Sequence, residues 1–158
     1  MFTDQYNKSL ISANNIARAS LSNKIDSYHF LAGILHVEEC EMSQFLNGYG
    51  LNSEWFYDTA PTHIKKYDPY DPYCFYINIL PFNEMMKRAI ENAKKAAEKN
   101  NTKVDLSHIL YNLLSPNVSF FNNLIRKKLV YSRFEHLKDK LFQMMSNKPP
   151  IVNQVIIE

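Results

Sequence analysis

Ile25-Asp26-Ser27-Tyr28-His29-Phe30-Leu31 is answered later in the chain by Val104-Asp105-Leu106-Ser107-His108-Ile109-Leu110. The same shift sets Ile34-Leu35 on Leu113-Leu114. Upstream, with one loop residue dropped, Phe2-Thr3 falls on Phe82-Asn83, Tyr6 on Met86, Leu10 on Ile90, Ala13 on Ala93 and Ala17 on Ala97. Identities are few, but the apolar positions and the two His agree across two helices and their loop. A unit this long exceeds the common short helical repeats and reads as a duplicated helical subdomain.

Each half spells out helices in order. Thr3 is a candidate N-cap, with Asp4 favourable in the first turn. Tyr6, Leu10, Ala13, Ala17 and Leu21 recur at helical spacing, flanked by polar Asn7, Lys8, Asn14, Asn15 and Arg18. Asp26 or Ser27 starts the next helix, with Phe30, Leu31, Ile34 and Leu35 inward. A third carries Met42, Phe45 and Leu46 and stops at Gly48-Tyr49-Gly50. A fourth starts at Asn52 or Ser53 and is anchored by Trp55 and Phe56. Residues 57–80, with Pro61, Pro69 and Pro72 among several Tyr, break the helical pattern and read as an aromatic linker.

The second half turns Met86, Ala89, Ile90, Ala93 and Ala97 inward and expects a Glu91–Lys95 pair outside. Asn100-Asn101-Thr102 ends that helix. Later faces are Ile109 to Leu114, then Phe120, Phe121, Leu124 and Ile125, then Phe134, Leu137, Leu141 and Met145. The expected organisation is a first repeat over 1–56, a linker over 57–80, a second repeat over 81–145 and a tail over 146–158. The β-branched tail is expected to form a short strand against Cys74–Leu80 or a second copy.

Composition narrows the function. At 158 residues, with 13% aromatics, the chain can bury a real core. A net charge of +2 gives no strong field toward nucleic acid or acidic membrane. Three Gly disfavour both a turn-rich β fold and a phosphate-cradling loop. No apolar run reaches a membrane span of ~18 residues, and the N-terminus lacks signal-peptide features. Two Cys in no C-x-x-C suggest a reduced, cytoplasmic setting. There is no G-x-x-x-x-G-K-[ST], G-x-S-x-G or H-E-x-x-H motif.

The ordered set of motifs resembles the duplicated N-terminal domain of the Clp unfoldases, ring ATPases that feed proteases or rescue aggregates. Family members open each repeat with Phe-Thr or Phe-Thr-Pro, continue with an Ala-rich helix, then Gly-Thr-Glu-His-Ile-Leu-Leu-Gly-Leu, then Leu-Gly-Leu. Phe2-Thr3 and Phe82 match the openings, Ile25 to Leu35 matches the His segment, and Tyr49-Gly50-Leu51 matches the later turn. Leu80-Pro81-Phe82 and Lys87-Arg88-Ala89 are similar to the ClpA-type domain, and the likeness covers roughly residues 2–145. It implies an all-α fold of two pseudo-symmetric four-helix subdomains. It also implies a protein-binding role: recruiting substrates or an adaptor to a Clp-type ATPase module, in cis or in trans. Narrower forms are the N-domain of the Clp-like ATPase that recycles type VI secretion sheaths by binding a sheath-protein helix, and a freestanding adaptor.

The site follows from the same likeness. In related ClpC-type domains the two opening Phe line one pocket, so Phe2 and Phe82 are the candidate peptide anchors, with Thr3 and Asn83 at the rim. ClpC-type domains bind phosphorylated arginine through the Glu before the His. Here those positions are Tyr28 and Ser107, which offer no carboxylate to a guanidinium and turn the preference toward neutral or apolar segments. The bland alternative for each Phe is a staple to its own helix. His29 and His108 read as structural twins bonding loop backbone, not as catalysts. His36 and Cys40 share a possible helix face, but two ligands do not make a zinc site. Arg126-Lys127-Lys128 and the Lys94–Lys103 stretch read as solvated faces, since phosphate tracking needs a larger field. The expectation is therefore a binding domain without catalysis, cofactor, metal, nucleic acid or membrane.

Overall fold

The computed structural model describes residues 1–66, 78–114 and 119–151. The Tyr residues at 67, 70, 73 and 76, the side chain of Phe120 and the tail beyond Ile151 lie outside them. Among the described residues are eight helices: α1 Asp4–Ala19, α2 Ser27–His36, α3 Glu41–Asn47, α4 Ser53–Thr59, α5 Glu84–Lys99, α6 Leu106–Leu113, α7 Ser119–Lys128 and α8 Tyr131–Ser146. The fold is all-α, four helices to each pseudo-symmetric half.

The starts are set by short polar side chains that take up first-turn N–H groups. Thr3, Asp26, Asn52 and Asn83 cap α1, α2, α4 and α5. Cys40 caps α3, its Sγ accepting from Ser43 N–H at 3.3 Å. That thiol is thus buried in a cap, away from a shared face with His36. α4 runs on to Thr59, so the helical pattern breaks only just before Pro61.

The ends repeat as well. Leu21 and Asn101 both take a left-handed φ, 58° and 53°. The next N–H, of Ser22 or Thr102, returns to Ala17 or Ala97 at 2.9 Å. This corrects the expected stripe of α1. Leu21 lies past the helix end and is 94% exposed, and Ile16 fills the core in its place. Asn14 and Asn15, expected among the polar flanks, are buried. Asn14 has work to do there: its Nδ2 donates to Asn78 O at 3.1 Å and its Oδ1 accepts from Leu80 N–H at 2.8 Å. It pins the approach to the second repeat onto the first helix. On α5, Glu91 pairs with Lys94 at 3.6 Å and not with Lys95. Both groups are exposed, so the exchange matters little.

One core runs through both halves, from Tyr6, Ile16, Phe30 and Ile34 to Met86, Leu106, Phe121 and Phe134. α1 and α2 approach closely because Gly33 lies at their crossing. A Cβ there would stand 2.6 Å from Ser9 O and 2.7 Å from Ala13 N. The matching position of the second half is Asn112, whose Nδ2 donates to His108 O at 2.7 Å.

Candidate protein-binding site at the repeat junction

The halves are joined by exchange of their opening residues. Phe2 bridges Val104 in parallel, and Phe82 bridges Ile25 in the same way. Thr3 N–H donates to Val104 O at 3.0 Å and Val104 N–H to Met1 O at 2.9 Å. In the other direction Asn83 N–H donates to Ile25 O at 3.0 Å and Ile25 N–H to Pro81 O at 2.9 Å. Each opening segment thus lies against the loop before the His helix of the opposite half. Neither ring is a free surface group, and neither is fully buried. Phe2 stacks on Tyr6 at 4.3 Å, with the Lys94 ammonium 5.9 Å from its ring centre, and Phe82 packs part-buried against the core. The staple to the first turn and a partly open ring coexist at Phe2.

The His twins hold the loops. Asp26 N–H donates to His29 Nδ1 at 3.1 Å, and Asp105 N–H to His108 Nδ1 at 3.0 Å. Nδ1 is an acceptor in both rings, so each neutral imidazole carries its proton on Nε2. The Asp26 carboxylate completes a reciprocal cap by accepting from His29 N–H at 2.9 Å. Asp105 and His108 form the matching capping box, with His108 N–H also reaching the Asp105 backbone carbonyl at 3.1 Å, but the Asp105 carboxylate is engaged with further partners.

That engagement breaks the symmetry. Asp105 is wholly buried and accepts from Thr3 Oγ1 at 2.6 Å, Gln5 Nε2 at 2.7 Å, Ser107 Oγ at 3.3 Å and Lys148 Nζ at 2.9 Å. Burial pushes its carboxyl upward, but the bonds from Thr3, Lys148 and Gln5 outweigh it and hold the group below its ordinary range. The Asp26 side chain, its counterpart, is 25% exposed. Lys148 comes from just beyond α8, where the chain turns back. Pro150 bridges Thr102 and Ile151 N–H donates to Asn101 O at 2.7 Å. The described start of the tail therefore pairs beside the first opening, not with Asn78–Leu80, which Asn14 holds. A cavity of about 410 Å³ lies there, lined by Met1, Thr3, Lys103, Lys148, Pro149, Pro150 and Ile151.

The six candidate residues divide accordingly. Phe2 and Phe82 hold matched, part-exposed places. Thr3 and Asn83 cap α1 and α5, and Thr3 also serves Asp105. Tyr28 is half-buried, with its hydroxyl held above its ordinary range by burial and by Asp26. Ser107 has no exposed surface, so it stands under the junction and not on it. Asp105, Gln5 and Lys148 were not singled out from sequence. Asp105 lay in plain view in the repeated segment, but its cation is distant in the chain and no local spacing joins them. Among the described residues no three His, Cys, Asp or Glu side chains gather as a metal would require, and no helix is long and apolar enough to cross a membrane.

Burial lowers the pKa of both His29 and His108 below 6.5, against the pull of Asp26 and Asp105. The unfolded chain therefore takes up protons first as pH falls. Stability is full above about pH 6.5 and declines as pH drops through that value toward the folded pKa. Asp105 adds a second loss, as pH falls through a folded pKa below 3.8. Urea midpoints across pH should show both steps. Gln at this position keeps a side-chain acceptor for the cap, so His29→Gln with His108→Gln should flatten most of the first step, leaving the share of His36, also held low by burial. An unchanged first step contradicts the assignment.

These features define a Clp N-domain-like fold: two four-helix repeats cross-paired at their openings. Among solved structures, the Hsp104 N-terminal domain from Candida albicans is similar, with a TM-score of 0.66 and 15% identity over 94% of this chain and 95% of that one. A chain from a malarial protein secretion system is also similar, with a TM-score of 0.63 and 20% identity over 91% of this chain and 94% of that one. No protein-family model and no curated protein matches the sequence.

Proposed function

We propose that this chain is a protein-binding N-domain that recruits substrates or an adaptor to a Clp-type ATPase module, with no catalysis of its own. The observation that carries the reading is the pair of opening segments. Phe2 and Phe82 occupy equivalent places at the repeat junction, each with a partly exposed ring beside loop backbone. An extended apolar segment can bury against such rings. Beside the junction, Asn101 and Thr102 already pair with the chain's own Pro150–Ile151 through backbone, the kind of contact an extended segment would make. Thr3 and Asn83 border the two places, Tyr28 adds a half-buried ring, and Ser107 acts only from beneath, through Asp105. With no Glu at Tyr28 or Ser107, neutral and apolar segments are favoured over cationic ones.

Burying one aromatic anchor is worth roughly 1.5–3 kcal/mol. Phe2→Ala with Phe82→Ala is accordingly expected to weaken binding of an extended apolar peptide at least about tenfold. Fluorescence anisotropy with a labelled Leu- and Val-rich peptide measures this, and circular dichroism checks that the variant remains helical. A folded double variant that binds as tightly as the parent moves the site elsewhere.

A further inference from the structure

The second half carries a charge that the first does not. Residues 1–66 hold 5 Lys and Arg against 7 Asp and Glu, a net −2, while residues 82–151 hold 13 against 6, a net +7. An overall charge of +2 conceals this division. Part of the excess gathers where α7 meets α8. There Tyr131 is 74% and the adjacent Val130 68% exposed, side by side at the start of α8. Beneath Tyr131 lies a notch of about 220 Å³ with Leu129 and the Phe134 ring among its walls. Two cations frame the same ring. The Arg126 guanidinium stands 4.6 Å from the Phe134 centre and the Lys138 ammonium 6.0 Å from it. Arg126 is exposed, and its Nε donates to Asn122 Oδ1 at 2.7 Å, which fixes the guanidinium beside the notch.

We propose that this α7–α8 corner is a second docking surface, for an acidic protein segment in which one apolar side chain is flanked by Asp or Glu. The notch has room for about one Leu- or Phe-sized side chain, with Tyr131 as its exposed wall. Flanking carboxylates meet Arg126 and Lys138, and the +7 half steers the approach. The open first turn of α8 adds a weaker pull on negative charge, because Val130 supplies no capping side chain. An acidic peptide suits the place better than nucleic acid. The feature is one compact apolar notch between two cations, whereas a nucleic-acid strand is followed by an extended basic groove with stacked aromatics. The corner shares no residue with the Phe2–Phe82 junction.

The test uses the full 158-residue chain and three labelled probes: a peptide with Leu-Phe flanked by Asp and Glu, the same peptide with Asn and Gln instead, and a uridine oligonucleotide. Anisotropy at low salt should show the acidic peptide binding at least about tenfold more tightly than the neutral one, with affinity falling as salt rises. Arg126→Glu with Lys138→Glu should remove most of that binding. Arg126 also packs on Phe134, so Tyr131→Ser, at an exposed position, serves as the variant that keeps the fold, and it too should weaken binding several-fold. Because the junction itself takes apolar segments, the comparison is made on the Phe2→Ala with Phe82→Ala background as well, where the preference for the acidic over the neutral peptide should persist, separating this surface from the junction. Equal binding of the neutral peptide, tighter binding of the oligonucleotide, no binding of the acidic peptide, or full binding by the folded Tyr131→Ser protein each overturns the proposal.

Discussion

Asp105→Ala is expected to lower stability by about 3–5 kcal/mol, while Asp26→Ala, at the equivalent position of the other repeat, should cost about 1 kcal/mol. The difference follows from what each carboxylate serves. Asp105 is fully buried and gathers Thr3, Gln5, Ser107 and Lys148, so its loss leaves several donors, one of them an ammonium only 20% exposed, without an acceptor. Asp26 accepts from His29 N–H alone among these bonds and is 25% exposed, so its loss is the loss of one cap. Urea denaturation of the two variants measures both. Because Thr3 and Gln5 precede or open α1, Lys148 follows α8 and Asp105 precedes α6, the same change should also loosen the first opening segment, read as faster amide exchange at Val104, whose N–H is held by Met1 O. Equal costs at Asp26 and Asp105 contradict the asymmetry described here.

Gly33→Ala is the second large effect. A Cβ at Gly33 meets Ser9 O at 2.6 Å and Ala13 N at 2.7 Å, and both are backbone atoms of α1 that no rotamer change can move. The helices must separate, and overpacking of this kind costs about 1–3 kcal/mol, with this site at the upper end. Asn112→Ala at the matching place in the second half removes one hydrogen bond, to His108 O, and should cost no more than about 1 kcal/mol. Thermal melts of the pair measure the contrast. If Gly33→Ala melts with the parent, α1 and α2 are not packed as closely as described.

Much of this was open to reading in the sequence, and for physical reasons. The repeat carried the fold, because a shared pattern of buried positions and His-before-apolar segments specifies the same pair of helices twice. The cap at Thr3 was legible, and those at Asp26 and Asn52 to within one residue, since capping is local; Asn83 was read as the match of Thr3 and its cap shows only in the fold. What stayed hidden was long-range. Leu21 fits the apolar period of α1 yet lies outside it, because the helix ends in a left-handed turn that the pattern alone does not mark. Asn14 looks like a surface amide and is a buried clamp on Asn78 and Leu80. Lys148 looks like a tail charge and is the partner of Asp105. At the candidate site, the equivalence of Phe2 and Phe82 could be read from the alignment of the halves. The burial of Ser107 could not, since it depends on how the second half closes over Asp105.

The most direct test of the binding role is to map contact on the isotopically labelled 158-residue chain by NMR while adding an unlabelled Leu- and Val-rich extended peptide. Amide shifts are expected to gather at the two cross-paired places, around Phe2 with Val104 and around Phe82 with Ile25, and Phe2→Ala with Phe82→Ala is expected to abolish them. Shifts that leave both places untouched, or a folded double variant that keeps them, would contradict that role.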